Sequence, residues 1–437
     1  MKRLFLFLIG ILFISIPISV GAQSRPSNVA KEDSTLQALK IKLKNLNRRL
    51  QKLEEKQQKA ELQRLLQEAE TAAVQKPKAL PKTKVFRGGQ RALQAINPEM
   101  SVTGDFLSHY IFESPHHYGD ERSGSNFRVL GIHFRSDLDP FSYTKIAVEI
   151  HPESAELGEA YAVWSGEIPG VSFTAGKFRQ QFGVVNRWHA HSLDQIFFPL
   201  AIQELFGEEG LNQTGFSMDW DVPRISPVTQ YLTLQLTNGQ NDNLFSGKFY
   251  SAPALLGHLK NYYDLTRNAY IELGLTGMIG QNHAANFDSL HPSLFKNVDS
   301  APGHQTLVGG ADFTYFWEPV NRAHYKNFLW RTEVYYVKKN LPQQKELTAL
   351  GGYSYIQRKL SERWVVGLRG DWTQPFQLDN SGKSIYQIVP YVTWWQSHWV
   401  RMRFEFQHRN GTGFNKAQNR AWLQITWAAG PHKHERY

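Results

Sequence analysis

Near residue 100 the hydrophobic period of this chain changes. Beyond it, apolar residues fall on every second position. In Val400-Arg401-Met402-Arg403-Phe404-Glu405-Phe406-Gln407 the residues between them are charged or amide. Ala269-Tyr270-Ile271-Glu272-Leu273-Gly274-Leu275-Thr276 repeats the pattern, and Thr144-Lys145-Ile146-Ala147-Val148-Glu149-Ile150 follows it less strictly. A period of two describes strands with two unlike faces. A soluble sandwich turns its polar face to bulk water. A lipid-facing barrel turns that face to a wet lumen instead. Alternation alone does not choose between them.

The links choose. Sixteen strands are expected near 101–110, 127–137, 144–151, 157–165, 171–178, 213–220, 229–238 and 254–265 in the first half. In the second half they are expected near 268–279, 305–317, 328–338, 348–360, 363–373, 385–395, 399–408 and 419–428. Links after even-numbered strands are mostly short, as in Asp139-Pro140-Phe141, Thr266-Arg267 and Gln396-Ser397-His398. Links after odd-numbered strands are mostly long, including 179–212, 239–253 and 280–304, with Pro152 to Glu156 the short exception. An even strand number with turns at one end and loops at the other is the pattern of an outer-membrane barrel. Tyr391, Trp394, Trp395 and Trp399 bracket one short turn, where a lipid headgroup region would place them. The fold class expected is therefore all-β: a transmembrane antiparallel β-barrel of about 16 strands over 101–428, bathed in outer-membrane lipid, with a tail at 429–437.

Ahead of the barrel, Met1-Lys2-Arg3, the apolar run Leu4 to Val20 and the small residues Val20-Gly21-Ala22 have the three parts of a signal peptide over 1–22. A short linker, 23–33, leads to an α-helical coiled coil at 34–75. There Leu36, Leu39, Leu43, Leu46, Leu50, Leu53, Gln57 and Ala60 are spaced alternately three and four apart. A helix with so narrow an apolar stripe is expected to self-associate, or to lie on another surface. A second linker, 76–100, contains Pro77 and Pro81. Both barrel ends emerge at the short-turn end, so the helix is expected in the periplasm, within reach of the cell wall or a periplasmic partner. Charge is divided along the same boundary. Residues 1–84 hold 17 Lys+Arg against 7 Asp+Glu, and residues 85–437 hold 32 of each. The body is neutral, so the +10 total does not indicate a nucleic-acid partner. With no cysteine, disulfides and thiol chemistry are excluded.

The longest internal link, Arg179 to Asn212, is too apolar for a solvated loop, with Phe182, Val184, Val185, Trp188, Ile196, Phe197 and Phe198 among its residues. It is expected to fold against the inside of the barrel wall and narrow the pore. That would bring Arg179, Arg187, His189, His191, Asp194 and Glu204 to a constriction. Arg331, Glu333, Arg369, Asp371, Arg401, Arg403 and Glu405 fall on the polar parity of their strands and are expected on the lumen wall. Opposed charges in a narrow pore filter solutes by charge, while paired wall charges only stiffen the barrel. Both roles stay open here. Neither HExxH nor GxSxG occurs, so no catalytic residue is assigned and no enzyme is expected. The pairs His116-His117, His189-Ala190-His191 and His432-Lys433-His434 do not by themselves define a metal site, and no cofactor is expected.

After the heptad helix comes Phe86-Arg87-Gly88-Gly89-Gln90-Arg91-Ala92-Leu93-Gln94-Ala95-Ile96-Asn97-Pro98-Glu99-Met100-Ser101-Val102-Thr103-Gly104-Asp105, and after the last strand Gly430-Pro431-His432. In these segments and the coiled-coil leader the chain resembles bacterial outer-membrane porins of the phosphate-selective type. It more closely resembles a group of uncharacterised porin-like proteins of Gram-negative bacteria. The resemblance covers most of the mature chain and implies passive diffusion through a homotrimer of barrels. Phosphate selectivity does not follow, because the family's lumen ladder of arginine and lysine is absent from a neutral barrel. The polar tail Pro431 to Arg436, before Tyr437, also departs from barrels that end on an aromatic within the last strand. The function expected is passage of small hydrophilic solutes or ions. The alternatives are a non-conducting barrel that tethers the envelope through its helix and, less favoured, an outer-membrane hydrolase.

Overall fold

The computed structural model describes residues 98–430, except 113–116, 119–120, 224–227, 242, 247–251, 288–294, 298–301 and 324. The expected signal peptide, both linkers up to residue 97, the coiled coil and most of the tail lie outside the described residues.

Sixteen strands form one closed antiparallel barrel. They are β1 Glu99–Ile111, β2 Gly124–Asp139, β3 Ser142–Ile150, β4 Ala155–Ser165, β5 Val171–Arg179, β6 Asn212–Val222, β7 Thr229–Thr237 and β8 Ala254–Thr266. The second half comprises β9 Ala269–Asn282, β10 His304–Trp317, β11 Asn327–Asn340, β12 Glu346–Lys359, β13 Trp364–Thr373, β14 Ile385–Trp395, β15 Val400–Gly411 and β16 Gln418–Ala429. Each strand pairs with its neighbour in sequence. Closure comes from β16 on β1, with Gly104 opposite Trp427 and Ile111 opposite Arg420. Closure satisfies every strand's ladder and leaves no edge to aggregate. The strand ends differ from the sequence expectation by three residues at most. Three small ribbons within the long links were not expected, because two to four residues are too few to show a period.

The wall is inverted relative to a water-soluble barrel. On β9, Leu273, Leu275 and Ile279 point outward and are exposed, while Thr276 and Met278 between them are buried inside. Inward faces elsewhere carry charge: Asp105 on β1, Arg331 and Glu333 on β11, Arg401, Arg403 and Glu405 on β15, all buried. An apolar belt outside and polar groups inside suit a lipid exterior, where an outward charge has neither water nor a partner. Leu275, 61% exposed, is the test position. Leu275→Arg is expected to lower the stability of the barrel refolded in phospholipid by about 2–4 kcal/mol, read from urea unfolding. An unchanged midpoint would contradict a lipid-facing outer belt.

Candidate functional site

The link from Gln180 to Leu211 contains two 3-10 turns, Val185–Arg187 and Ala190–Ser192, and one short helix, α1, Leu200–Phe206. Little else is regular, yet Phe182, Ile196, Ala201, Ile202 and Leu205 are fully buried. A buried irregular backbone has peptide groups that must be satisfied by something other than water. The link satisfies some of them itself, with Asn186 Nδ2 donating to the Gln180 and Leu211 carbonyls and Trp188 N to the Val185 carbonyl, and inward side chains of the wall satisfy many of the rest.

Following the link from β5, Gln181 N donates to Gln235 Oε1 of β7 at 3.1 Å, and Gly183 N to Thr276 Oγ1 of β9 at 3.3 Å. Glu333 of β11 then accepts from Val184 N and Val185 N at 3.3 and 3.1 Å. The same carboxylate accepts from the Tyr335 hydroxyl at 2.7 Å and from the Tyr353 hydroxyl. Gly183 has φ +61, and a Cβ there would sit 1.9 Å from Glu333 Oε2, so only glycine lets the chain come this close.

The link next turns across the lumen. The Arg331 guanidinium lies 4.9 Å from the centre of the Trp188 ring. The adjoining residue, His189, is clamped on the opposite wall between Glu149 Oε1 of β3 at 3.0 Å and Glu159 Oε2 of β4 at 2.8 Å. Burial disfavours the His189 imidazolium, but hydrogen bonds to these two carboxylates outweigh it and raise its pKa above the ordinary value. Since β3 and β11 are eight strands apart in a ring of sixteen, consecutive loop residues engage opposite walls.

Beyond the crossing, the remaining wall charges also meet backbone. The His191 carbonyl accepts from Arg401, and the Leu193 carbonyl from Arg403 Nη2 at 3.0 Å. Ile196 N donates to Glu405 Oε1 at 2.7 Å, while its carbonyl accepts from Arg128 Nη1 of β2 at 2.8 Å. Arg369 Nη1 reaches the Phe197 carbonyl at 2.9 Å, and Asp371 accepts from Leu200 N at 3.3 Å. Asp194 accepts from the Tyr355 hydroxyl at 2.9 Å. Phe197 packs on Trp422 of β16, and Phe182 and Phe206 pack on Tyr335.

Among the residues expected at the constriction, His189, His191 and Asp194 are thus buried in the crossing. Arg187 and Glu204 are half-buried. Arg187 donates to Gln181 Oε1 at 2.9 Å, and Glu204 accepts from Phe376 N at 3.3 Å. Arg179 stands at the root of the link, on the Glu209 carbonyl at 2.6 Å. Burial, and then the neighbouring Glu156 charge, push the Glu209 carboxyl up. All seven expected wall charges are inward and buried. The free lumen charges that a charge filter calls for are instead taken up by the loop: six of the seven bond its backbone, and Arg331 stacks on Trp188.

Sequence reasoning missed Glu149, Glu159 and Arg128. A β-bulge explains the last two. Ala147 faces Glu159 but Val148 faces Leu157, so Gly158 bulges and the parity of β4 flips there. Arg128 is the extra residue where Asp105 faces Val129 and Phe106 faces Phe127. Glu149 lay on the polar parity of β3 and was legible by the rule used for Glu333.

No protein-family model matches the chain. An uncharacterized protein of Aquifex aeolicus (strain VF5) is 25% identical over 277 residues, which cover 58% of this chain and 56% of that protein. The chain thus spans about half the length of that relative. Among solved structures, the anion-selective porin from Comamonas acidovorans aligns with a TM-score of 0.51 at 11% identity, over 76% of this chain and 99% of that one. OprB of Pseudomonas putida gives 0.51 at 10% identity, over 78% and 97%. OmpT, an outer membrane protein of Vibrio cholerae in trimer form, gives 0.51 at 8% identity, over 76% and 99%. The barrel architecture is that of these outer-membrane proteins.

Glu333→Ala leaves two buried amides and two hydroxyls without their acceptor. A loss of about 1–3 kcal/mol for each stranded donor that finds no water is expected in urea unfolding. Glu153→Ala, at an exposed turn, is expected to stay within about 0.5 kcal/mol. Equal midpoints for the two variants would show that Glu333 does not hold the loop.

Proposed function

We propose that this chain is an outer-membrane porin for small hydrophilic solutes or ions, with its lumen narrowed by the loop over 179–212. The observation that carries the reading is the crossing at Trp188 and His189, past which any solute in the lumen must travel. The similar barrels of the Comamonas acidovorans porin and the Vibrio cholerae outer membrane protein support it. In this reading Arg331, Glu333, Arg369, Asp371, Arg401, Arg403 and Glu405 set the width of the constriction by holding the loop. Selectivity then falls to groups beside the crossing, such as Arg187 and the half-buried Lys260–Glu272 pair at 3.1 Å. A signal peptide at 1–22 delivers the chain, the helix at 34–75 stands in the periplasm, and three copies assemble as in the trimer form of the Vibrio cholerae protein.

The same crossing also favours a second reading, a barrel sealed by its loop that serves as an envelope tether. Single-channel recording in a planar bilayer separates the two. The porin is expected to give steady steps, which rise several-fold when 187–197 is replaced by a shorter Gly-Ser segment. Silence from the native barrel with steps from the variant would establish the sealed barrel. Silence from both would overturn the porin reading.

A further inference from the structure

The turn from β3 to β4 opens at the same barrel end as the long links and gathers a second constellation. Its backbone is closed by His151 N on the Ser154 carbonyl at 2.8 Å, and Glu149 lies directly opposite Glu156 across the strand pair. His151 Nε2 is 3.1 Å from Glu156 Oε1 and 4.0 Å from Glu149 Oε2. One ligand atom from each of the three residues lies within 4.8 Å of the others.

The other ring nitrogen decides what this arrangement needs. His151 Nδ1 is 3.0 Å from the Arg128 carbonyl oxygen. A carbonyl only accepts, so Nδ1 carries its hydrogen. With Nδ1–H on the carbonyl, Nε2 faces two carboxylates, and either a hydrogen on Nε2 donated to Glu156 or a cation held between the three groups makes that arrangement favourable. A carbonyl on the far nitrogen is also the outer-shell contact that orients a metal-binding histidine. Glu149 is held in the same way: its Oε1 accepts from His189 Nδ1 at 3.0 Å, which leaves Oε2 turned toward His151.

We propose that Glu149, His151 and Glu156 form a binding site for a divalent transition cation of the zinc class. An imidazole with two carboxylates suits zinc, whereas calcium and magnesium favour shells of oxygen alone. Tetrahedral zinc with bonds of about 2.0–2.2 Å places its ligand atoms about 3.3–3.5 Å apart. The 3.1 and 4.0 Å separations reach that spacing with small rotations of Glu149 and Glu156. Access is open, since the side chains of Glu156 and His151 are 43% and 29% exposed while Glu149 is buried behind them. Water completes the coordination on that side. Glu149 also clamps the crossing, so a bound cation shares a ligand with the loop anchor. The site itself is made of wall residues and does not depend on whether the barrel conducts.

The test titrates zinc chloride into the refolded full-length barrel in detergent by calorimetry and takes zinc X-ray absorption spectra of the loaded protein. The native barrel is expected to bind one zinc equivalent more than His151→Ala, and Glu156→Gln is expected to weaken that equivalent by about tenfold or more. The His116-His117 and His432-Lys433-His434 pairs stay in all three proteins, so their binding cancels in the difference. The spectrum of the lost equivalent is expected to show one imidazole among oxygen ligands. Equal zinc stoichiometry and affinity in the native barrel and both variants, or no zinc bound by the native barrel, would overturn the proposal and leave a His151–Glu156 hydrogen bond in its place. Glu156 is at the exposed edge, so Glu156→Gln keeps the test decisive if His151→Ala does not refold.

Discussion

The rest of the structure depends on how the backbone of the 180–211 link is satisfied. A largely irregular segment inside a barrel loses water around its peptide groups, and its short turns and α1 satisfy only part of them. Here the wall supplies carboxylates to N–H groups and guanidinium groups to carbonyls: Glu333 to Val184 and Val185, Glu405 to Ile196, Asp371 to Leu200, Arg369 to Phe197, Arg403 to Leu193. Charged hydrogen bonds of this kind are stronger than neutral ones, and most of these are made by residues that are themselves buried. Each charge thereby gains the partner that makes its own burial tolerable. The loop is held by the wall, and the wall's buried charges are in turn partnered by the loop.

This dependence explains the mixed sign of the inward charges. The wall charges that bond the loop are of both signs, three carboxylates and four guanidinium groups, because one backbone presents both donors and acceptors. It also explains the location of the aromatics. Trp188, Phe182 and Phe206 fill the space between the loop and β11, where Arg331 and Tyr335 cover them. Apolar packing and polar satisfaction are thus used at the same place, on opposite sides of the same loop residues.

The barrel was legible in the sequence because its two signals are strong. Alternation sets which face is apolar, as in Leu273, Leu275 and Ile279, and link lengths set which end is which. The inward position of Arg331, Glu333, Arg401, Arg403 and Glu405 followed from parity alone. Their partners did not. A residue such as Glu333 meets Val184 across 149 positions of chain, and nothing local to either encodes that contact. Parity also fails wherever the ladder carries an extra residue, as at Gly158 and Arg128, which hid Glu159 and the Arg128 contact to Ile196. The turn constellation escaped for a related reason: its histidine and two glutamates meet through strand pairing and share no spacing motif, whereas His189 and His191, which did stand out in the sequence, stack on each other inside the barrel at 5.5 Å.

The wall holds the loop by its backbone. Hydrogen exchange of the refolded native barrel, resolved to individual amides, tests it most directly. The amides of Val184, Val185, Ile196 and Leu200 are expected to exchange as slowly as those in the middle of β11 and β15, although none of them donates within a helix or a strand ladder. Exchange of these four amides as fast as in the exposed turn at 396–398 would contradict the account, because a loop free of the wall leaves its peptide groups open to water.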